Sequence, residues 1–592
     1  MESAEKVYKN RHKKYFKLYK NQKKKSSFFS NLRLLSALLA VFGFISPLFF
    51  PQIAGLENFI GLAFVILFIV FIVIHGRVKE KEKYLEVIAN LNNQGLERLK
   101  GNWRSFEDQG DDYVDEHHFF TYDLDIFGKN SLYQWINTTT TFLGREKFAK
   151  VLKNPPQDIE LIKMRQDAIK ELAENIDFRQ NLQGYGLLSK ETLIDPKGLI
   201  EWTKEKTAST FIYSLLQFFP ILTLAAAYIS YSTNVLAPFA IAAILQTLIA
   251  ILIFSNAGSQ LQRLGRYKDQ IAANAYLLEM IESYEFKSPL LSNLQNRMAR
   301  QGKASDKLRR LEKVMSLLSV RFQQWYFLFN ILTLWDTHCI LGLNNWKDKH
   351  GVKVDVYLEV IASFDELSSF AVLNFENSDW VTPQLTKKPQ VKGQNVGHPL
   401  IDRNERVGND IFIGPKSPIL MITGSNMSGK STYLRTVGFN SLLAYCGANV
   451  CAKDFRISPM KISTSMRVQD DINSNVSSFY AELKRVRTIL QQAKEGNKVL
   501  FLLDEIFKGT NSKDRHAGAK ALIKELYTYE AMGLVSTHDL ELAELENEIA
   551  LKNYHFTEHY VNEDIRFDYK LRSGVSQTFN AKYLMKKMGI NV

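Results

Sequence analysis

The sequence predicts a C-terminal α/β domain, a parallel sheet with flanking helices, preceded by an all-α domain and combined with two apolar helical hairpins. Three observations predict this. Short apolar runs at 419–422, 499–503 and 533–536 are separated by helical stretches, which suits buried parallel strands. Residues 131–205, 257–330 and 353–372 carry apolar side chains at helical spacing. Two pairs of nearly uncharged runs, 34–50 with 59–74 and 211–231 with 236–254, approach the ~20 residues that cross a hydrocarbon core.

In chain order, the first 25 residues hold ten Lys or Arg against Glu2 and Glu5, a balance of +8 in a 592-residue chain of net charge +13. The high pI is mostly a property of this tail and is weak support for a nucleic-acid surface on the globular part. The basic segment precedes the first apolar run, and Arg77, Lys79, Lys81 and Lys83 follow the second, with only Glu57 between. The positive-inside rule then puts both ends of this hairpin in the cytoplasm. The basic region is too long for a secretory signal, and no small-residue cleavage site precedes the second run. The second pair has Lys204 and Lys206 before it, Arg263, Arg266 and Lys268 after it, and an uncharged loop. Gln217, Pro220 and Gln246 interrupt it.

A fifth run, 325–343, contains Asn330, Asp336 and His338. It is expected to be a buried helix, because intramembrane ionisable groups are costly and an odd span count would put the C-terminal domain outside. The expected layout is tail and first transmembrane hairpin over 1–83, connector over 84–130, helical domain over 131–207 and 257–385, second transmembrane hairpin over 208–256, and α/β domain over 386–592. Pro383 and residues 387–393 read as the linker into that domain, and GHPLI at 397–401 as its opening strand. Cys339, Cys446 and Cys451 have neither metal-ligand company nor a disulfide framework, and read as reduced core residues.

The chemistry concentrates after the strand at 419–422. Gly424, Gly429, Lys430 and Ser431 in GSNMSGKST match the phosphate-binding pattern G-x-x-x-x-G-K-[ST]. The glycines let the backbone curl so that its N–H groups meet phosphate oxygens at a helix N-terminus. The whole loop, Gly424, Ser425, Asn426, Met427, Ser428, Gly429, Lys430, Ser431 and Thr432, is the expected ATP cradle. Lys430 would reach the outer phosphates and Ser431 would hold Mg2+. Asp504 and Glu505 end the 499–503 strand, where a nucleotidase keeps one carboxylate for Mg2+ and one to polarise water. His538 ends the third strand as a sensor of the γ-phosphate. A helix over 476–494 is expected to be capped by Ser477 or Ser478. A polar turn at Gly509–Ser512 leads to a helix ending at 531, and GVSQTFNAKYLMKKMGI reads as a turn and a closing helix.

These residues resemble the MutS family of DNA mismatch repair ATPases. TGSNMSGKSTYLR is similar to the family's phosphate loop, Asn426-Met427 included. LLDEIFKGTNSKD is similar to its LLDE-I-x-x-GT element, STHDLELAEL to its TH-x-x-EL element, and Ser477-Ser478-Phe479 with Glu482 to its ST-F-x-x-E segment. Upstream, residues 131–155 and the following helix resemble the start of the family's helical lever domain, and FDELSSFAVL (364–373) its end. The resemblance implies Mg-ATP hydrolysis in a dimer with composite sites: Lys430, Glu505 and His538 catalytic, Ser431 and Asp504 on Mg2+, Ser477 completing the partner's site. It also admits DNA as a partner.

The departures are specific. Phe507 stands where the family usually has Gly. The second hairpin sits where lever arms and DNA clamp would extend, and residues 1–130 are expected to be membrane spans and connector in place of a mismatch-reading domain. Phe364-Asp365-Glu366 fits the letters of the family's F-x-E wedge but belongs to the lever end. The first expectation is therefore a multi-pass inner-membrane ATPase acting on DNA, with termini and ATPase domain in the cytoplasm. An ATP-driven membrane protein without a DNA role is the alternative, although no LSGGQ-type signature precedes residue 499. A nucleotide-gated scaffold is a third.

Overall fold

The computed structural model describes residues 3–46, 57–206, 210–299, 302–467, 478–508, 510–561 and 564–576. The chain opens with α1 (Ala4–Ile45) and α2 (Glu57–Leu99), an antiparallel pair of 42 and 43 residues. At 1.5 Å per residue each is roughly 65 Å long, about twice a hydrocarbon core. Only the distal parts are apolar and exposed. Near that end the helices touch closely enough that a Cβ on Gly43 would lie 2.9 Å from Gly61 Cα. The proximal part, which carries the lysines, is a stalk. Its seam is polar: His12 Nδ1 lies 2.9 Å from the Ala89 carbonyl, and Gln22 donates to the Val78 carbonyl at 3.2 Å. The end of the first apolar run, 47–50, lies outside the described residues.

The helical domain begins with α3 (Leu132–Ile136), α4 (Phe142–Lys153), α5 (Ile159–Glu174), α6 (Ile176–Leu188) and α7 (Lys197–Lys204). Ser131, Thr141 and Asp158 cap α3, α4 and α5 by accepting N–H bonds from Gln134, Gly144 and Leu161, which satisfies donors a helix start leaves free. The second hairpin follows as α8 (Thr210–Leu216), α9 (Phe219–Thr233) and α10 (Ala237–Gly265). The chain breaks between α8 and α9 just ahead of Pro220, which lacks an N–H. Past its apolar half α10 continues into the bundle, burying Leu261 and Leu264. Among the described residues four helical stretches are long and apolar enough to cross a membrane, one from each of α1 and α2, α8 with α9, and α10.

The bundle closes with α11 (Lys268–Ser283), α12 (Pro289–Ala299), α13 (Ala304–Leu318), α14 (Tyr326–Thr333), α15 (Trp335–His350) and α16 (Val354–Glu376). Here one expectation fails. The run 325–343 is not one buried helix: it bends by 76° between α14 and α15, at Leu334, whose φ is +48°. Asp336 forces the break. Its buried carboxylate gathers Arg321, Tyr326 and Asn330, and Asn330 Oδ1 accepts the Asp336 N–H at 3.0 Å. Helix α16 is buried along most of its length and packs on α4 and α5.

The α/β part holds two sheets. β1 (Gln384–Leu385), β2 (Val391–Val396), β3 (Asn409–Ile413) and β5 (Asp454–Ile457) form one, in the order β1-β5-β2-β3. The expected linker at 387–393 thus leads straight into a strand, with Val391 and Gly393 paired to both neighbours. GHPLI is likewise no strand. It turns after β2, because Pro399 cannot donate to a ladder and the His398 ring takes the Leu400 N–H at 3.3 Å.

The main sheet uses β4 (Ile419–Thr423), β6 (Lys461–Ser465), β7 (Val499–Asp504), β8 (Met532–Ser536), β9 (Leu551–Val561) and β10 (Asp564–Ser573), in the order β10-β9-β4-β8-β7-β6. It is mixed, not purely parallel as expected: β10 runs antiparallel to β9. Helices α17 (Lys430–Cys446), α18 (Ser478–Lys494) and α19 (Ser512–Thr528) cover it. Leu420 and Ile422 of β4 join the core shared with the helical bundle, and Ile419 and Met421 join a second core under α18 and α19. The two faces of one strand thus serve two cores, as period-2 alternation requires.

The connector is structured where it meets this sheet. Asp123, fully buried, accepts from Thr464 Oγ1 at 2.6 Å and from the N–H groups of Met466 and Arg467, both at 3.1 Å. Arg485 pairs with it at 3.0 Å.

Candidate functional site

The loop between β4 and α17 curls over the sheet's C-terminal edge. Gly424 and Gly429 have φ of +144° and +108°, and Met427 has +67°. A Cβ on Gly424 would lie 3.0 Å from both the Phe556 carbonyl and Ser428 Oγ, so only glycine fits without a shift. Ser425 donates to Glu558 at 2.9 Å, and Met427 is almost fully exposed. Ser428 Oγ is buried with no partner. Ser431 and Thr432 open α17 and line the adjoining cavity.

Strand order decides what faces the loop. β8 lies between β4 and β7, so the ends of both neighbours converge on the loop. Lys430 Nζ, buried, donates to the carbonyls of Gly424 and Ser425, each at 2.9 Å. Its ammonium pKa is lowered by burial, against the opposing pull of Glu505 and Asp504. His538 Nε2 stands 2.8 Å from Glu505 Oε1, 2.6 Å from Asn426 Oδ1 and 3.3 Å from Lys430 Nζ. Two carboxyl and amide oxygens as neighbours call for a proton on that nitrogen. The hydrogen bond from His538, then Lys508 at 2.7 Å, pulls Glu505 down to about 2. Asp504 accepts from Ser536 on the neighbouring strand. Glu505 and Phe507 have φ of +51° and +63°, a left-handed conformation that costs non-glycine residues about 1–3 kcal/mol each. The Glu505 N–H to the Ser536 carbonyl at 2.9 Å and the Phe507 N–H to buried Glu482 hold the turn. The Phe507 ring lies over Gly518, where a Cβ would come within 3.1 Å of it.

The structure therefore brings Lys430, Asn426, Glu505 and His538 together, with Asp504 beside them. Ser477 lies outside the described residues, as do Gly509 and the closing helix. The residues fit a polyphosphate and a divalent cation. The glycine cradle, the unpartnered Ser428 hydroxyl and the ammonium suit phosphate oxygens, and Ser431 with Asp504 offers hard oxygen donors.

The loop floors a cavity of about 480 Å3 whose other wall the sequence did not reveal. That wall is Val396, His398, Val407, Phe556 and Tyr569. His398 sits edge-on to Phe439 at 4.9 Å, and burial pushes its pKa down to about 3, so the ring is neutral. Tyr569 occupies an irregularity of β10, between Phe567 and Leu571, at φ +54°. Asn409 holds that bulge through the Tyr569 carbonyl and the Leu571 N–H, both at 2.9 Å. No spacing rule joins residues 396–407 to 556–569. The one readable signal was GHPLI, whose turn delivers His398.

Two family models match the chain: MutS domain III over residues 120–371 and MutS domain V over 420–588. The DNA mismatch repair protein MutS of Caldanaerobacter subterraneus subsp. tengcongensis is 34% identical over 245 residues, 40% of this chain and 28% of that protein. MutS protein homolog 4 of Mus musculus is 34% identical over 234 residues, 38% of this chain and 24% of that protein. The MutS of Aquifex pyrophilus is 36% identical over 229 residues, 38% and 26% of the two chains. The matched part spans about a quarter of the length of these curated relatives.

Proposed function

The chain belongs to the MutS family, and from that premise we propose that it is a membrane-anchored ATP hydrolase that acts on DNA. The observation that carries the hydrolase is the convergence of Lys430, Glu505 and His538 at the floor of one cavity. Lys430 exchanges its loop carbonyls for phosphate oxygens. Ser431 and Asp504 hold Mg2+, which supplies positive charge against the phosphates when bound. Glu505, kept ionised by His538, orients and deprotonates the attacking water. The exposed ring of Tyr569 takes the base. Ser477 is proposed to complete the site of a second copy, which makes the working unit a dimer.

The membrane anchor rests on the four apolar helical stretches and the basic residues that flank them. The positive-inside rule favours a cytoplasmic membrane, with the ATPase domain in the cytoplasm. A DNA role rests on the family and on the MutS relatives. One observation favours the alternative, an ATP-driven membrane protein without DNA: α10 runs unbroken from the apolar hairpin into the helical core, so movement of that core reaches the bilayer directly.

The test is ATP hydrolysis by the whole protein in mild detergent, without DNA and with matched, mismatched and branched duplexes at moderate salt. Glu505→Gln sets the background. Stimulation by one duplex, falling steeply with salt, supports the DNA reading. Glu505-dependent hydrolysis that ignores every duplex supports the alternative.

A further inference from the structure

Helix α14 is built inside out for water. Its polar residues point into the protein: Tyr326 and Asn330 are buried against Asp336 and Arg321. Its apolar residues point outward, with Phe327 46%, Leu328 67% and Leu332 69% exposed. Its backbone is also finished without solvent. The Phe329 carbonyl accepts from Thr333 Oγ1 at 2.7 Å and that of Asn330 from the Leu334 N–H at 2.8 Å. The next two, Ile331 and Leu332, accept from the Gln246 side chain at 2.6 and 3.0 Å. A helix end facing water needs no such partner, whereas one facing hydrocarbon does.

Gln246 fixes the depth. It is the tenth residue of the 19-residue apolar stretch Ala237–Ser255, so it lies near mid-span. At the other end of α14, Phe327 meets Phe254 edge-on at 6.2 Å, close to where that stretch ends. Helix α14 thus runs antiparallel to α10, from the end of the apolar stretch to its middle. At eight residues and roughly 12 Å it cannot cross a ~30 Å core, and the 76° bend returns the chain to the bundle.

We propose that α14 is a re-entrant membrane helix, its Phe327, Leu328 and Leu332 face seated among lipid acyl chains continuous with those around the second hairpin. This rests on the reading of that hairpin as membrane-spanning. The occupant is lipid because the exposed face is continuous with the apolar surface of α10, and because the polar side already has its partners within the chain. The element joins α13 and α15 to the bilayer at a third place.

The experiment uses the full chain in liposomes, with single cysteines at Leu328, Leu332, Leu224 and Lys498 carrying an environment-sensitive fluorophore. Leu224 is an exposed α9 residue that reports the hairpin, and Lys498 is an exposed position on the α/β domain. The three native cysteines are buried. ATP hydrolysis checks that each labelled protein is folded. Labels at 328 and 332 are expected to be quenched several-fold more by lipid-borne nitroxide than the label at 498, with 332 preferring the deeper nitroxide and both shielded from iodide. Iodide-accessible labels at 328 and 332 beside a lipid-quenched 224 overturn the re-entrant helix alone. An iodide-accessible 224 overturns the spanning hairpin as well.

Discussion

Glu505 carries the largest single expectation at the scale of one residue. Its strained backbone and its bond to His538 aim an ionised carboxylate at the phosphate loop. Glu505→Gln is expected to cut ATP turnover by about 10²–10⁴-fold while leaving nucleotide binding, read by fluorescent-nucleotide titration, near the parent's. The pair also has a pH signature. Because the folded pKa of Glu505 is depressed from 4.5 to about 2, its stabilising contribution is complete above pH 4.5 and lost as pH falls through about 2. Thermal melts of the parent and His538→Ala should therefore differ most above that window and converge below it. Tyr569→Ala, which strips the cavity's far wall, should raise KM for ATP several-fold with little change in kcat, the mark of binding shared by ground and transition states.

The near side of the cavity was legible because phosphate chemistry demands glycine, lysine and hydroxyl at fixed spacing on one turn. The far side was not, because Tyr569 owes its place to a β-bulge held by Asn409. Asp123 was equally silent: an acidic residue in a connector declares nothing until the backbone it caps is brought to it.

Among elements, α5, α16 and α17 meet at one buried pair. Arg165 binds Glu366 at 2.5 Å and also donates to the Cys446 carbonyl at 2.8 Å, at the end of α17. Both side chains are nearly inaccessible, so Glu366→Ala strands a guanidinium in the core. The expected cost is about 3–5 kcal/mol, read as a lowered denaturation midpoint with the ATP site chemically intact. Periodicity made α5 readable because it buries one apolar stripe, whereas α16 and α17 are buried on all faces over much of their length. The run 325–343 was misread for a different reason. Asn330 and Asp336 in an apolar run suggested a polar patch to be buried in a soluble core, whereas their burial turns the apolar face of α14 outward. The sequence pattern is the same for both arrangements, and only the bend at Leu334 separates them.

Taken as a whole, the molecule gathers its two apolar hairpins around the bundle that carries α16. The first hairpin is rooted at that helix's end, where Glu376 accepts from Tyr8 at 3.0 Å and Arg98 at 2.6 Å. Arg403 of the α/β part donates to the Glu376 carbonyl at 3.2 Å, so stalk, bundle and sheet share one residue. Glu376→Gln is expected to preserve basal ATP turnover but to shrink any nucleotide-dependent change in distance between spin labels on Lys17 and Lys416, measured by pulsed electron resonance. An unchanged distance response would assign the coupling to the second hairpin.

The same root sets a schedule for biogenesis. Tyr8 and Glu376 are 368 residues apart in the chain. At ribosomal rates of ~5–20 residues per second, the N-terminal helix waits roughly 20–70 s between its own synthesis and that of its anchor. If the apolar segments that follow are in the membrane, as proposed, they tether this lysine-rich helix on the cytosolic side throughout that interval, with Gly95 as the first surface ready to receive Tyr8. On the proposed membrane reading, early insertion of the first hairpin acts as a placeholder: it keeps the N-terminus within reach of a docking site that the ribosome has yet to make.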